Sequence, residues 1–139
     1  MALGRFGNHG AVWAALGVAL AIADPGNREA WLICAALGPI GIGLNYVVKL
    51  IVRRPRPVLE GLPPLGGSPS SLSFPSAHAT SSFAVATAMT RVEPVAALAF
   101  LLAAALALGR PYLGMHYPSD VAAGALLGVA LGLIVPLSL

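Results

Sequence analysis

His116 and Asp120 stand four residues apart in a chain with only three histidines and five acidic residues. On a helix this spacing puts both on one face. A carboxylate on one imidazole nitrogen fixes the tautomer and supports positive charge on the ring, leaving the other nitrogen free to attack an electrophile. His78 is a second imidazole, suited to protonate a leaving group and later to activate water. Lys49, Arg53, Arg54 and Arg56 fall within eight positions, and Arg110 lies six residues before His116. Arginine grips phosphate oxygens bidentately, and lysine adds a point charge. Cations beside two histidines and one carboxylate suit a phosphate ester, because they stabilise the charge that develops during in-line phosphoryl transfer. Pro75-Ser76-Ala77-His78 reads as a helix start, where backbone N–H groups and the helix dipole bind anions.

The rest of the chain must hold these groups in place. Of its 139 residues, 58% are hydrophobic and 9% charged, with a mean hydropathy of +0.84. A soluble domain carries about 25% charged residues. Eight basic and five acidic side chains are too few to cover a water-facing surface, and disorder needs the opposite composition. The sequence pI near 9.6 does not imply nucleic acid, because half of the basic residues sit in the 49–56 cluster and no basic face exists elsewhere. Cys34 is the single cysteine, which excludes an intramolecular disulfide.

The apolar runs predict an all-α polytopic membrane bundle, one domain over residues 1–139, with five transmembrane helices near 8–23, 29–53, 76–91, 94–110 and 118–137. Asp24-Pro25-Gly26-Asn27 is a turn signal between the first two. Thr80, Ser81, Ser82, Thr87 and Thr90 make the third helix a poor lipid-facing element and place it in the interior. Gly124, Gly128 and Gly132 give the fifth helix a smooth ridge for close packing. Asn45 reads as interhelical glue, and Pro39 as a kink in the second helix. Trp13, Trp31, Tyr112 and Tyr117 read as interfacial aromatics. The proline-rich loop 54–75 reads as a stiff cover. Counting crossings of the bilayer brings Lys49–Arg56, Ser76–His78, Arg110 and His116–Asp120 to one face.

Three segments then resemble the motifs of the type 2 phosphatidic-acid phosphatase superfamily. Lys49 and Arg56-Pro57 match Lys, six residues, Arg-Pro. Residues 75–78 match Pro-Ser-Gly-His, with Ala77 in place of glycine. Gly109, Arg110, His116 and Asp120 match Ser-Arg, five residues, His, three residues, Asp, with Gly109 in place of serine. The resemblance implies an integral membrane phosphatase that hydrolyses a lipid-linked phosphate through a phosphohistidine. It assigns His116 as nucleophile, Asp120 as its orienter and His78 as general acid. It assigns phosphate binding to Lys49, Arg56, Ser76, Ala77 and Arg110. It implies no metal and no other cofactor, a lipid phosphate partner, and a cell-membrane location with the site facing outward. A polyprenyl-linked phosphate or pyrophosphate is the favoured substrate, since composition and the Leu72–Phe83 stretch resemble actinobacterial members, some of which act on decaprenylphosphoryl-phosphoribose. Phosphatidic acid and phosphatidylglycerol phosphate are the alternatives, and a non-catalytic lipid-binding or channel-like protein is the reading from another class. Arg53 and Arg54 match no motif position and are expected at lipid headgroups or as topology signals.

Overall fold

The computed structural model describes residues 9–58, 71–112 and 114–137. They form five α-helices: α1 (His9–Ala23), α2 (Arg28–Val52), α3 (Ala77–Val92), α4 (Ala99–Tyr112) and α5 (Pro118–Ile134). Short 3-10 turns at Pro25–Asn27 and Pro94–Leu98 lead into α2 and α4. The second turn occupies what the sequence reads as the start of the fourth helix, because proline removes an N–H donor and opens a tighter turn. The described part of the loop before α3 is pinned at its base, where Pro55 and Leu72 form an isolated antiparallel bridge. Residues 59–70 lie outside the described residues.

α3 is the centre of the bundle. Ala79, Thr80, Ser81, Ser82, Ala84, Val85, Ala86, Thr87, Ala88 and Met89 are buried, which places the hydroxyl-rich helix inside, as its composition requires. The hydroxyls find partners within helices or across them: Thr87 donates to Phe83 O at 2.7 Å and Thr90 to Ala86 O at 2.8 Å. Ser82 accepts from Trp13 Nε1 at 2.9 Å. Asn45 Nδ2 donates to Thr80 Oγ1 at 2.9 Å, and Thr80 passes the bond on to Ser76 O at 3.0 Å. Asn45 therefore ties α2 to the start of α3, as expected.

The glycine ridge of α5 lies on α3. A Cβ at Gly124 would stand 2.6 Å from Ser76 O, one at Gly132 would stand 2.5 Å from Ala84 O, and one at Gly128 would collide with Thr80 O. The contacts advance by four residues on both helices, so α3 and α5 run parallel, backbone against backbone, for two turns. α1 and α2 pack in the opposite sense, with Gly17 against Ala35 and Gly10 against Pro39. Helix α2 runs unbroken through Pro39.

Trp13 and Trp31 correct the expectation of interfacial aromatics. Trp13 is fully buried in the core, where Ser82 satisfies its indole N–H. Trp31 is 3% exposed and donates to Asp24 Oδ2 at 3.0 Å, closing the α1–α2 turn together with Asn27. The exterior is apolar: Ile22, Ile51, Leu101, Leu126 and Ile134 are each more than two-thirds exposed. Among the described residues the stretch Pro25–Val52 is long and apolar enough to cross a membrane, and Gly10–Ala23, Pro94–Gly109 and Pro118–Ile134 are shorter apolar helices.

Candidate active site

Helix α2 ends abruptly. Arg53 caps it in the left-handed conformation (φ 52°, ψ 33°), its N–H donating to Lys49 O at 2.9 Å. The turn throws the chain back over the bundle end and delivers Arg54 and Arg56 beside α5. Lys49 is buried, and its ammonium donates to three backbone carbonyls: Pro75 O at 2.8 Å, Ser73 O at 3.0 Å and Leu72 O at 3.3 Å. Ser73 closes the frame from the other side, its N–H reaching Arg54 O at 2.8 Å and its hydroxyl Pro55 O at 2.9 Å. Lys49 thus fastens the segment that leads into α3.

That segment supplies the N-terminus of α3. Ser76 is fully buried, serves as the N-cap, and accepts from Ala79 N at 3.5 Å. Its own N–H donates to Asp120 O at 2.9 Å, which joins the starts of α3 and α5. Ala77 and His78 are the first two helical residues. Helix geometry leaves the Ala77 N–H without an acceptor inside the helix. The Ala77 side chain and His78 are half-buried.

Helix α5 opens on Tyr117 as N-cap, with Pro118 in its first turn, a position where a missing N–H costs nothing. Asp120 is completely buried and reaches back to accept the Tyr117 N–H at 2.8 Å. Its carboxylate also benefits from the positive end of the helix dipole. Oδ2, the oxygen that takes this bond, is 3.6 Å from His116 Nδ1. The other ring nitrogen of His116, Nε2, is 3.3 Å from Arg56 Nη1, which also donates to Met115 O. Arginine has donors only, so its contact with Nε2 requires the lone pair there. The ring proton then belongs on Nδ1, facing Asp120. Burial holds the His116 pKa down at about 4, the positive charges of Arg56 and Lys49 add to the lowering, and Asp120 opposes it. These influences favour the neutral imidazole, with its unprotonated nitrogen beside a guanidinium.

The structure therefore gathers Lys49, Arg56, Ser76, Ala77, His78, His116 and Asp120 at one end of the bundle. Arg110 falls in the last turn of α4, and its side chain lies outside the described residues. Arg54 is the residue that sequence reasoning misplaced. It is not directed to lipid: its Nη1 donates to Asp120 Oδ1 at 3.0 Å and to Ser119 Oγ at 2.8 Å. Its guanidinium also lies 4.0 Å from the centroid of the Tyr117 ring. No motif position marks it. The available signal was its place beside a lone carboxylate at the same bundle end, which topology already brings together. Arg53, by contrast, is exposed and donates locally, to Leu50 O at 2.9 Å.

A bundle whose buried, basic end holds a neutral histidine backed by a carboxylate is equipped for phosphoryl transfer. Residues 14–139 match the PAP2 superfamily, and the chain belongs to it. It is 45% identical over 123 residues, covering 88% of this chain and 68% of the relative, to the decaprenylphosphoryl-5-phosphoribose phosphatase of Mycolicibacterium smegmatis. It is 42% identical over 133 residues, covering 96% of this chain and 75% of the relative, to the protein of the same name from Mycobacterium tuberculosis. The crystal structure of Aquifex aeolicus LpxE superposes with a TM-score of 0.69 at 29% identity, covering 95% of this chain and 84% of that one. The protein is a membrane lipid-phosphate phosphatase of the PAP2 class.

Proposed function

We propose that this phosphatase removes a phosphate monoester from a polyprenyl-phosphate-linked sugar, the substrate class named for its mycobacterial relatives. His116 Nε2 attacks phosphorus in line, and Arg56 and Arg110 bind the non-bridging oxygens together with the Ser76 hydroxyl and the Ala77 amide. His78 protonates the departing sugar alkoxide. The resulting phosphohistidine is hydrolysed by water, with His78 now accepting the proton. Asp120 holds the Nδ1 proton and stabilises the charge that His116 acquires. Its 3.6 Å separation from Nδ1 is just beyond hydrogen-bond distance, and catalytic hydrogen bonds commonly shorten when the substrate binds. Lys49, with its donors engaged by carbonyls, acts through its field and by fixing residues 72–75.

The single observation that supports this reading most is the Arg56 contact to His116 Nε2 at 3.3 Å, because a donor-only guanidinium there favours the unprotonated, nucleophilic nitrogen. The five helices make one catalytic unit that crosses the membrane repeatedly, with the site at the extracytoplasmic face and the lipid tail entering between helices. His116→Ala is expected to lower turnover of a prenyl-linked sugar phosphate by at least about 10⁴-fold and to eliminate acid-labile phosphoenzyme after a quench. Wild-type turnover persisting in that variant would overturn the mechanism. Turnover is expected to survive EDTA; loss restored by added Mg²⁺ would contradict it. Labelling of a cysteine placed at Ser71 in intact cells checks the orientation.

A further inference from the structure

We propose that Arg54 is a positioning residue for the phosphatase reaction, holding the Asp120 carboxylate in the orientation that His116 needs. The inference rests on the reading of His116 as nucleophile and Asp120 as its orienter. Asp120 divides its two oxygens between distinct tasks. Oδ2 takes the Tyr117 N–H at 2.8 Å and faces His116 Nδ1 at 3.6 Å. Oδ1 takes Arg54 Nη1 at 3.0 Å. Without Arg54, a fully buried oxygen loses its charged partner. The carboxylate can then rotate about its last torsion, a broad and soft one, and turn the wrong edge to the histidine.

Arg54 is itself held on three sides. Ser119 Oγ accepts from the same nitrogen at 2.8 Å, the Tyr117 ring covers the guanidinium face at 4.0 Å, and the Arg54 carbonyl is tied to Ser73 N at 2.8 Å. A planar, rigid fork is fixed in this way where a flexible ammonium would not be. The side chain is 37% exposed, at the rim of the site and not in its floor, which suits a group that steadies the carboxylate without contacting the reacting phosphorus.

The arrangement also has an electrostatic consequence. The charged groups acting on His116 are Lys49 of α2, Arg56 of the segment after it, and Asp120 of α5; His78 is the titratable group at the start of α3. Arg54 neutralises part of the Asp120 charge, which together with the Ser73 backbone favours protonated His116. Removing Arg54 therefore makes the resting histidine easier to protonate as well as worse aligned.

The test compares Arg54→Met and Arg54→Lys with wild type, His116→Ala and Asp120→Asn in detergent, using a prenyl-linked sugar phosphate. Readouts are kcat, KM, the acid limb of kcat/KM, and thermal unfolding. Arg54→Met is expected to lower kcat by about tenfold to a hundredfold, the usual range for groups that orient a reacting ligand. KM should change less than about threefold, and the acid limb should move upward. Arg54→Lys should recover the acid limb but only part of kcat. Unchanged kcat and acid limb in Arg54→Met would overturn the inference, as would a raised KM with kcat retained, which would make Arg54 a substrate ligand. If Arg54→Met does not accumulate as folded protein, Arg54→Lys and Ser119→Ala carry the test, and wild-type kcat in both would overturn it. An active His116→Ala would instead defeat the underlying mechanism and not this inference alone.

Discussion

Helix α5 is held by an arginine at each end, and the two arrangements differ in kind. At the site end Arg54 pairs with the buried Asp120 carboxylate. At the far end Arg91, from the last turn of α3, donates to Gly132 O and Val135 O, both at 2.8 Å. Arg91 meets the carbonyls that every helix leaves unpaired at its C-terminus, where a cation is favoured by the dipole. Its partners are backbone atoms with no chemistry to perform. Arg54 meets a side chain whose orientation the proposed reaction uses. The same residue type thus closes the helix at one end and directs a carboxylate at the other, and between them the glycine seam fixes the separation of the two ends.

The largest expected effect comes from breaking the seam. Gly128→Val drives a branched side chain into Thr80 O of α3. It should destabilise the bundle by about 3 kcal/mol or more and abolish activity through loss of folded protein, visible as aggregation on size exclusion. Normal unfolding and activity would mean that α3 and α5 are not in backbone contact.

The next effect separates the two ends by pH. His116 is held near 4 in the folded protein, against about 6.5 when unfolded. Between those values the unfolded chain binds a proton that the folded one does not, so stability falls as pH drops from about 6.5 to 4 and levels off below. The His116 ring, followed by NMR in the substrate-free protein, should likewise titrate near pH 4 and stay neutral at 6.5. Titration of the ring at 6.5 would show that His116 is solvated like a free imidazole.

Arg91→Gln should then cost about 1–2 kcal/mol in unfolding measurements while leaving the acid limb in place. A shifted limb would erase the distinction between the two arginines. The smallest effect belongs to Gly109→Ser. Open space surrounds the position, with nothing within 4 Å of an added Cβ. The hydroxyl of the family motif should be accepted without loss of stability. KM should fall by up to about fivefold, equivalent to about 1 kcal/mol for one hydrogen bond; a raised KM would show that the serine obstructs the site here.

The Trp13 and Arg54 corrections share a cause. Both residues look peripheral along the chain, and both acquire distant partners: Ser82 is 69 positions from Trp13 and Asp120 is 66 positions from Arg54. By contrast, Asn45, the interior α3 and the α5 ridge were readable because a polar group or a repeated glycine inside an apolar run has few physical uses.

Sequence alone determined the membrane class, the five helices and the set of polar residues that the fold gathers at one end of the bundle. Charges are so scarce in this chain that those kept at helix ends, at motif spacing, point to a phosphate. The tertiary structure decided which cation serves which anion. A left-handed turn at Arg53 and the parallel glycine contact between α3 and α5 set the register. Only that register brings Arg54 to Asp120, Arg56 to His116, and Lys49 to the carbonyls of residues 72, 73 and 75.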